Sequence, residues 1–442
     1  MSRRSALRVF MALCAAAAWT ACGDDTAGNS AADGGPDADG DADSGSDTDT
    51  DTEVVYPKPC ADLYDPAILP TFEFEIEPAE WTALQADCAA NVKQYRPIVF
   101  HYGDEAQDAM IRLKGNWSWI CDKMQFVVSF NEVDPDARFH GLPKIVLDAP
   151  WYDPTLLHER MAFDVLSRLD IPYSCVNNAR LIVNGEYYGV YANVERIDHE
   201  YLERNFEDHD GNLYEAGTEL KTNEDTADTS DRDAFWAATD IGALDAIVDL
   251  DEAVAAWAGE AMLPDPDSYW AGVEINFYLY HYPGRGFVFL PYDADISFAE
   301  NIWPDCAYAD PVTYEHPDWL REVQYQVALS DPFWCEAFVD GVVAAREAYD
   351  VELMQERLDT WSAQIADAVI ADPNKTFSNG EHDAAVAEMR DFFQTRADFV
   401  DDWLAAGGHC PPVWPPSGQS GQAGPVRCQS GARHFQFPIS LR

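Results

Sequence analysis

The chain has 442 residues, with 28 Lys and Arg against 79 Asp and Glu, a formal net charge of −51. Hydrophobic residues make up 47% and aromatics 13%, enough to bury a large core as one large domain or two ordinary ones. The charge argues against nucleic acid as a partner, because phosphate binding is driven by Lys and Arg. No apolar run past the N-terminus reaches membrane-spanning length, so any membrane attachment is expected through the N-terminus or through a partner.

Residues 1–21 read as an export signal. Arg3, Arg4 and Arg8 give a positive start, Val9 to Ala18 is apolar, and small residues follow. The segment ending Trp19-Thr20-Ala21-Cys22 resembles a bacterial lipoprotein cleavage site, which implies a lipidated Cys22 and a protein held on the envelope or cell surface. Residues 22–55 read as an acidic tether: positions 23–53 carry ten Asp, one Glu and no Lys or Arg. Such a segment cannot bury enough surface to offset its ordering entropy, and it repels itself. The run from Asp37 to Asp43 has the look of a calcium loop. It has Ala42 where Gly is needed at the sixth position and Thr48 where Glu is needed at the twelfth, so the tether reading is preferred.

Ten cysteines occur, of which Cys14 lies in the signal. Besides Cys22, eight remain: Cys60, Cys88, Cys121, Cys175, Cys306, Cys335, Cys410 and Cys428. There is no CxxC, which argues against zinc ribbons and thioredoxin-type redox sites. An even number in an exported chain predicts disulfides, up to four, with a pairing the sequence does not give.

Residues 56–408 read as one mixed region. Phe72 to Ile76 alternates as a strand, and Pro78 to Ala90 follows as a helix with Pro at its start. Ile98 to Tyr102, Ala109 to Lys114, Met124 to Phe130 and Lys144 to Leu147 read as strands. Leu157, Met161, Val165 and Leu169 give a helical period over 154–169. Ala179 to Val183 and Tyr187 to Val194 form a hairpin around Asn184-Gly185, which supplies the positive-φ turn. A second hairpin joins Asn276–Tyr282 to Phe287–Leu290. Beyond Asp331 the chain turns helical, over 338–349, 351–370 and 383–405. Strands early and helices late predict an α+β domain. Residues 409–442 read as an irregular tail rich in Pro, Gly and Ser.

There is no GxSxG elbow, HExxH, Walker GxxxxGK[ST] or GxGxxG motif. The ten His are scattered, with no pair at helical ligand spacing. What remains is a set of carboxylates and amides around the second hairpin: Asp265, Asp267 and Asn276 before it, Asp293 and Asp295 after it. Desolvated carboxylates are costly unless paired, and a hard cation such as Mg²⁺ supplies the pairing.

These residues also carry a resemblance. Arg112-Leu-Lys-Gly-Asn116, the Lys123–Phe130 strand, Lys144–Asp148, Asp153, the helix around Glu159, Val183–Tyr191 with Glu195, Gly211–Tyr214, the Asp267…Asn276 segment and Pro291–Asp295 occur in the order seen in the CotH kinase family. The resembling region runs from about Glu73 to Phe298, over half the chain. The resemblance implies an atypical protein-kinase-like fold and transfer of the ATP γ-phosphate to protein Ser or Thr with Mg²⁺ or Mn²⁺. It implies Asp267 as the catalytic Asp, with Asp265 a competing candidate. Asn276 and Asp293 would be metal ligands, with Asp295 beside them. Lys123 and Arg112 would serve the nucleotide phosphates, and Glu159 or Glu195 would orient Lys123. Tyr292 stands where the family often has Trp. The spacing from Asp267 to Asn276 is nine, against five in ordinary kinase loops. The alternative is a surface protein without activity, structural or adhesive, that keeps the fold for binding.

Overall fold

The computed structural model describes residues 55–411 except 117, 227, 273–274 and 315–322. Its first half is a closed barrel of seven strands: β1 (Thr71–Glu75), β2 (Arg96–Tyr102), β3 (Glu105–Leu113), β4 (Phe126–Ser129), β5 (Lys144–Asp148), β6 (Val176–Val183) and β7 (Glu186–Val194). They run in the order β1-β2-β3-β4-β5-β7-β6. Every pair is antiparallel except β1 with β6, which closes the barrel in parallel. Period-two alternation sends one face of each strand inward. Aromatic rings fill the space: Phe74 meets Phe126 edge-on at 5.5 Å and Phe100 meets Phe130 at 5.2 Å.

Helix α1 (Pro78–Ala90) has the bounds its sequence predicts, with Pro at the first turn and Asn91 in the left-handed conformation at its end. Helix α2 (His158–Leu166) is shorter than its apolar period suggests. Asp153 accepts the N–H of Thr155 at 2.8 Å and that of His158 at 3.0 Å, so a side-chain-capped turn takes the place of the first helical residues.

A four-stranded sheet follows: β8 (Leu213–Glu215), β9 (Glu219–Leu220), β10 (Phe277–Tyr282) and β11 (Gly286–Pro291), in the order β11-β10-β8-β9. Around it pack α3 (His199–Asn205), α4 (Ser230–Ala237), α5 (Ile241–Asp245), α6 (Leu250–Met262), α7 (Val323–Ser330), α8 (Pro332–Ala348), α9 (Val351–Ala371) and α10 (Asn379–Ala405). The molecule is thus α+β, strand-rich first and helical last. Helices α8 and α10 begin earlier than their apolar periods. Asp331 caps the first, and Ser378 with Glu381 forms a capping box on the second.

The barrel is tied to the helical half by a buried ion pair. Lys123, just before β4, contacts Asp372, just after α9, and Asp372 also accepts the N–H of Val190 on β7 at 3.0 Å. Three disulfides occur among the described residues: Cys60–Cys175, Cys88–Cys121 and Cys335–Cys410. Cys306 is a buried free thiol, and Cys428 lies outside the described residues, so four pairs become three there. Disulfides fit an oxidising, extracellular compartment. No helix among the described residues is long and apolar enough to cross a membrane. The signal, Cys22, the tether with its calcium-like run, and the tail from 412 also lie outside the described residues.

Candidate active site

Strand register builds one wall of the site. Leu113 pairs with Phe126, and Phe126 with Leu147, and all three side chains are buried in the main core. One step further, the N–H of Lys114 donates to the carbonyl of Gln125 at 3.0 Å. The row Lys114, Gln125, Asp148 therefore faces the opposite way from the row Leu113, Phe126, Leu147. Lys114 reaches across that row to an ion contact with Asp148, which is 1% exposed. Asp148 Oδ1 has no hydrogen-bond partner.

The β10–β11 hairpin builds the opposite wall. Its last pair is Phe277 with Pro291, so Asn276 and Asp293 emerge next to each other at its open end. The N–H of Tyr292 donates to the Asn276 carbonyl at 3.3 Å. Asn276 Nδ2 donates to Asp267 Oδ2 at 3.1 Å and to the Asp293 carbonyl at 3.4 Å, which leaves Oδ1 as its metal-type donor. Asn276 and Asp293 both have left-handed backbone, φ 55° and 53°, a conformation that Asn and Asp tolerate best among non-glycine residues. Asp293 Oδ1 lies 3.4 Å from Lys114 Nζ, which joins the two walls. Behind it, Asp295 Oδ2 accepts from the Tyr152 hydroxyl at 2.7 Å, and the Asp295 carbonyl lies 3.1 Å from His158 Nδ1.

Carboxylate oxygens of Asp148, Asp293 and Asp295 all lie within 4.8 Å of one another. Glu159, from α2, is buried beside them with Oε2 unpartnered. Burial, and then the charge of Asp293, push Glu159 up to about 8 against the opposing pull of Lys114. Burial, then Asp265 and Asp293, push Asp267 up to about 8 as well. Asp265 rises to about 7, chiefly by burial. Asp295 lies well above the carboxylate range through burial and the nearby Asp293 and Glu159. Burial alone would lower Lys114, but Asp293, Glu159 and Asp295 outweigh it and hold the ammonium charged. One ammonium cannot neutralise this many acids. Oxygen donors, an unpartnered buried carboxylate oxygen and excess negative charge fit a hard divalent cation such as Mg²⁺, which takes one or two carboxylates plus phosphate oxygens.

The structure brings together Asp267, Asn276, Asp293 and Asp295. It does not bring Lys123 there. That side chain is 2% exposed, pairs with Asp372 and lies 4.9 Å from the Tyr191 ring centroid. Lys114 is the lysine of the cluster. Glu195 is likewise elsewhere, accepting from Arg204 at 2.9 and 2.8 Å and from the N–H of Cys175 at 2.9 Å. Of the two acids considered for orienting a lysine, Glu159 is the one near the cluster. Arg112 donates to the Leu113 carbonyl at 3.1 Å, with its guanidinium 5.5 Å from the Tyr95 ring centroid. Asp265 accepts the N–H of Asp267 on one oxygen, at 2.8 Å, and the Ser297 hydroxyl on the other, at 3.2 Å. It braces the loop, while Asp267 Oδ2 accepts from Asn276. Glu260 on α6 supports the same loop by accepting the N–H of Trp270 at 3.1 Å. Sequence reading gave no role to Lys114 or Asp148. The signal for them was strand parity, which puts both on the face opposite the barrel core.

Residues 111–242 match the family model described as CotH kinase protein. The chain is also similar to the inner spore coat protein H of Bacillus subtilis (strain 168), 20% identical in a 367-residue alignment that covers 76% of this chain and 98% of that protein. Both findings support the CotH family. The span matched by the CotH model takes in Lys114, Asp148 and Glu159 and ends before Asp265.

Proposed function

We propose that this is a CotH-type kinase that transfers the ATP γ-phosphate to Ser or Thr of a protein substrate, acting outside the cytoplasm on a lipid anchor at Cys22. The observation that carries the reading is Lys114 set between Asp148 and Asp293, with Asp293 joined through Asn276 to Asp267. Phosphoryl transfer needs positioning and charge neutralisation more than covalent chemistry, and this set supplies both. Lys114 holds phosphate oxygens. Asn276 and Asp293, with Asp295 and Asp148 beside them, would hold Mg²⁺ or Mn²⁺, which neutralises phosphate charge when bound. Asp267, in its ionised form, orients the acceptor hydroxyl and takes its proton as the new oxygen–phosphorus bond forms and the bond to ADP breaks.

The test is label transfer from γ-labelled ATP by the full chain with Mg²⁺ or Mn²⁺, to itself and to an unstructured Ser/Thr-rich protein, alongside calorimetric ATP binding. Transfer is expected from the native chain, with loss in Asp267→Asn, Asp293→Asn and Lys114→Ala. Absence of ATP binding would favour the reading as an inactive binding protein instead. Mass spectrometry of the mature N-terminus tests the anchor: a start other than a lipid-modified Cys22 removes it.

A further inference from the structure

A second ligand set lies outside the carboxylate cluster and shares no residue with it. His199 opens α3, and His209 and Asp210 sit in the loop between α3 and β8. One ligand atom from each of the three lies within 4.8 Å of the others. The two imidazole rings have centroids 5.1 Å apart at 81° to each other. His209 Nδ1 is buried with no hydrogen-bond partner, an arrangement that costs free energy unless something else satisfies the ring.

The loop is held firmly by groups other than these ligands. The Phe206 ring packs on Tyr280 at 4.7 Å and on Tyr282 at 5.2 Å. The Tyr280 hydroxyl donates to the Asp208 carbonyl at 2.8 Å and accepts the N–H of Gly211 at 3.2 Å. Asn223 Nδ2 donates to the Asp210 carbonyl at 2.9 Å. The backbone that carries His209 and Asp210 is thus held before anything binds, while the His199 and Asp210 side chains are exposed. Tetrahedral ligands about 2.0–2.1 Å from a metal stand about 3.3 Å apart, so closing the set takes about an ångström of side-chain movement.

We infer that His199, His209 and Asp210 form a binding site for a late first-row divalent metal, with Zn²⁺ the best fit, independent of the kinase-type cluster. Two imidazoles and one carboxylate select Zn²⁺ and its neighbours over Mg²⁺ and Ca²⁺, which prefer oxygen donors alone. A fourth position is left for water or for a donor from another molecule. Bound metal pins the start of α3 to the strand entry at β8.

The test uses the full, untagged chain stripped with chelator and titrated with Zn²⁺ in millimolar Mg²⁺, which occupies the carboxylate cluster. Competition with a chromophoric chelator reads the affinity, and Co²⁺ substitution reads imidazole coordination from its visible bands. The expected result is one equivalent of Zn²⁺ bound, weakened in His209→Ala and in the exposed His199→Ala, and unchanged in Asp293→Asn. Loss of an outer-shell partner alone costs about 10–100-fold in affinity, so losing a ligand is expected to cost at least about tenfold. No bound Zn²⁺ in the native chain, or native affinity retained in both His variants, overturns the site. Neither result touches the kinase reading.

Discussion

Replacing Lys123 with Met separates a structural lysine from a phosphate-binding one. Lys123 and Asp372 side chains are 2% and 0% exposed, so the pair is closed to water. Removing the ammonium leaves a buried carboxylate that keeps only neutral donors, the N–H of Val190 at 3.0 Å and the N–H of Asn374 at 2.9 Å. Breaking a buried pair from one side costs about 3–5 kcal/mol. The two retained donors, and a Met chain of similar length against Tyr191, point to the lower end, about 3 kcal/mol. Adding Asp372→Asn removes the stranded charge while keeping an acceptor for one of the two N–H groups, which donate to different carboxylate oxygens. That double variant is expected to regain about 1–2 kcal/mol. The assay is urea unfolding of the full chain with disulfides intact, followed by tryptophan fluorescence, beside calorimetric ATP binding of the folded protein. The refuting result is a Lys123→Met variant that loses less than about 1 kcal/mol of stability yet no longer binds ATP. Lys123 would then be the phosphate lysine, and Lys114 a bystander.

Other outcomes follow from the same contacts. Asp267 and Glu159 have folded pKa values raised to about 8, so their protonated forms stabilise the fold below the ordinary carboxylate value of about 4. That contribution is lost as pH rises from about 4 to 8. Thermal melts without metal should therefore fall across this window, Asp267→Asn should flatten the fall, and Mg²⁺ should raise the melting temperature more at pH 8 than at pH 5. Gly189→Ala sets a Cβ 2.5 Å from Asp372 Oδ2 at a φ of +150°, and should cost about 2–3 kcal/mol in urea unfolding without any cut in label transfer per folded molecule. Replacing Cys60 and Cys175 together by Ser opens a loop of 115 residues; chain entropy sets the loss at about 4–5 kcal/mol, read by the same unfolding assay. Tyr152→Phe removes the hydrogen bond to Asp295 and should weaken Mg²⁺ binding by calorimetry while leaving the urea midpoint within about 1 kcal/mol.

Much of the fold was legible because its signals are local. The strand from Phe72 alternates, the strands at Phe126 and Lys144 are short apolar runs, and the helices after Asp331 carry one apolar stripe each. Helix α6 was missed for the opposite reason: Ala253, Val254, Ala256, Trp257, Ala258 and Ala261 bury it on nearly every side, so no stripe stands out. At the site, the two ends of the second hairpin were readable because Asn276 and Asp293 are close once that hairpin is drawn. The lysine was not readable from chain order. Lys114 and Lys123 flank the same β3–β4 connection, and only the register of Leu113 with Phe126 and Phe126 with Leu147 shows which one aligns with Asp148. Asp372 is 249 residues from Lys123, a separation over which no sequence period speaks.

Under the proposed attachment through Cys22, the Cys60–Cys175 bond has a mechanical consequence. A pull on the chain ahead of residue 55 travels only as far as Cys60 before passing covalently to Cys175, at the foot of β6. Lys58 is anchored just before it, its N–H donating to the Arg204 carbonyl at 2.8 Å. Drag or shear on such a leash would load the barrel wall through a sulfur bridge, and β1 could not be peeled away from its free end until that bridge was reduced.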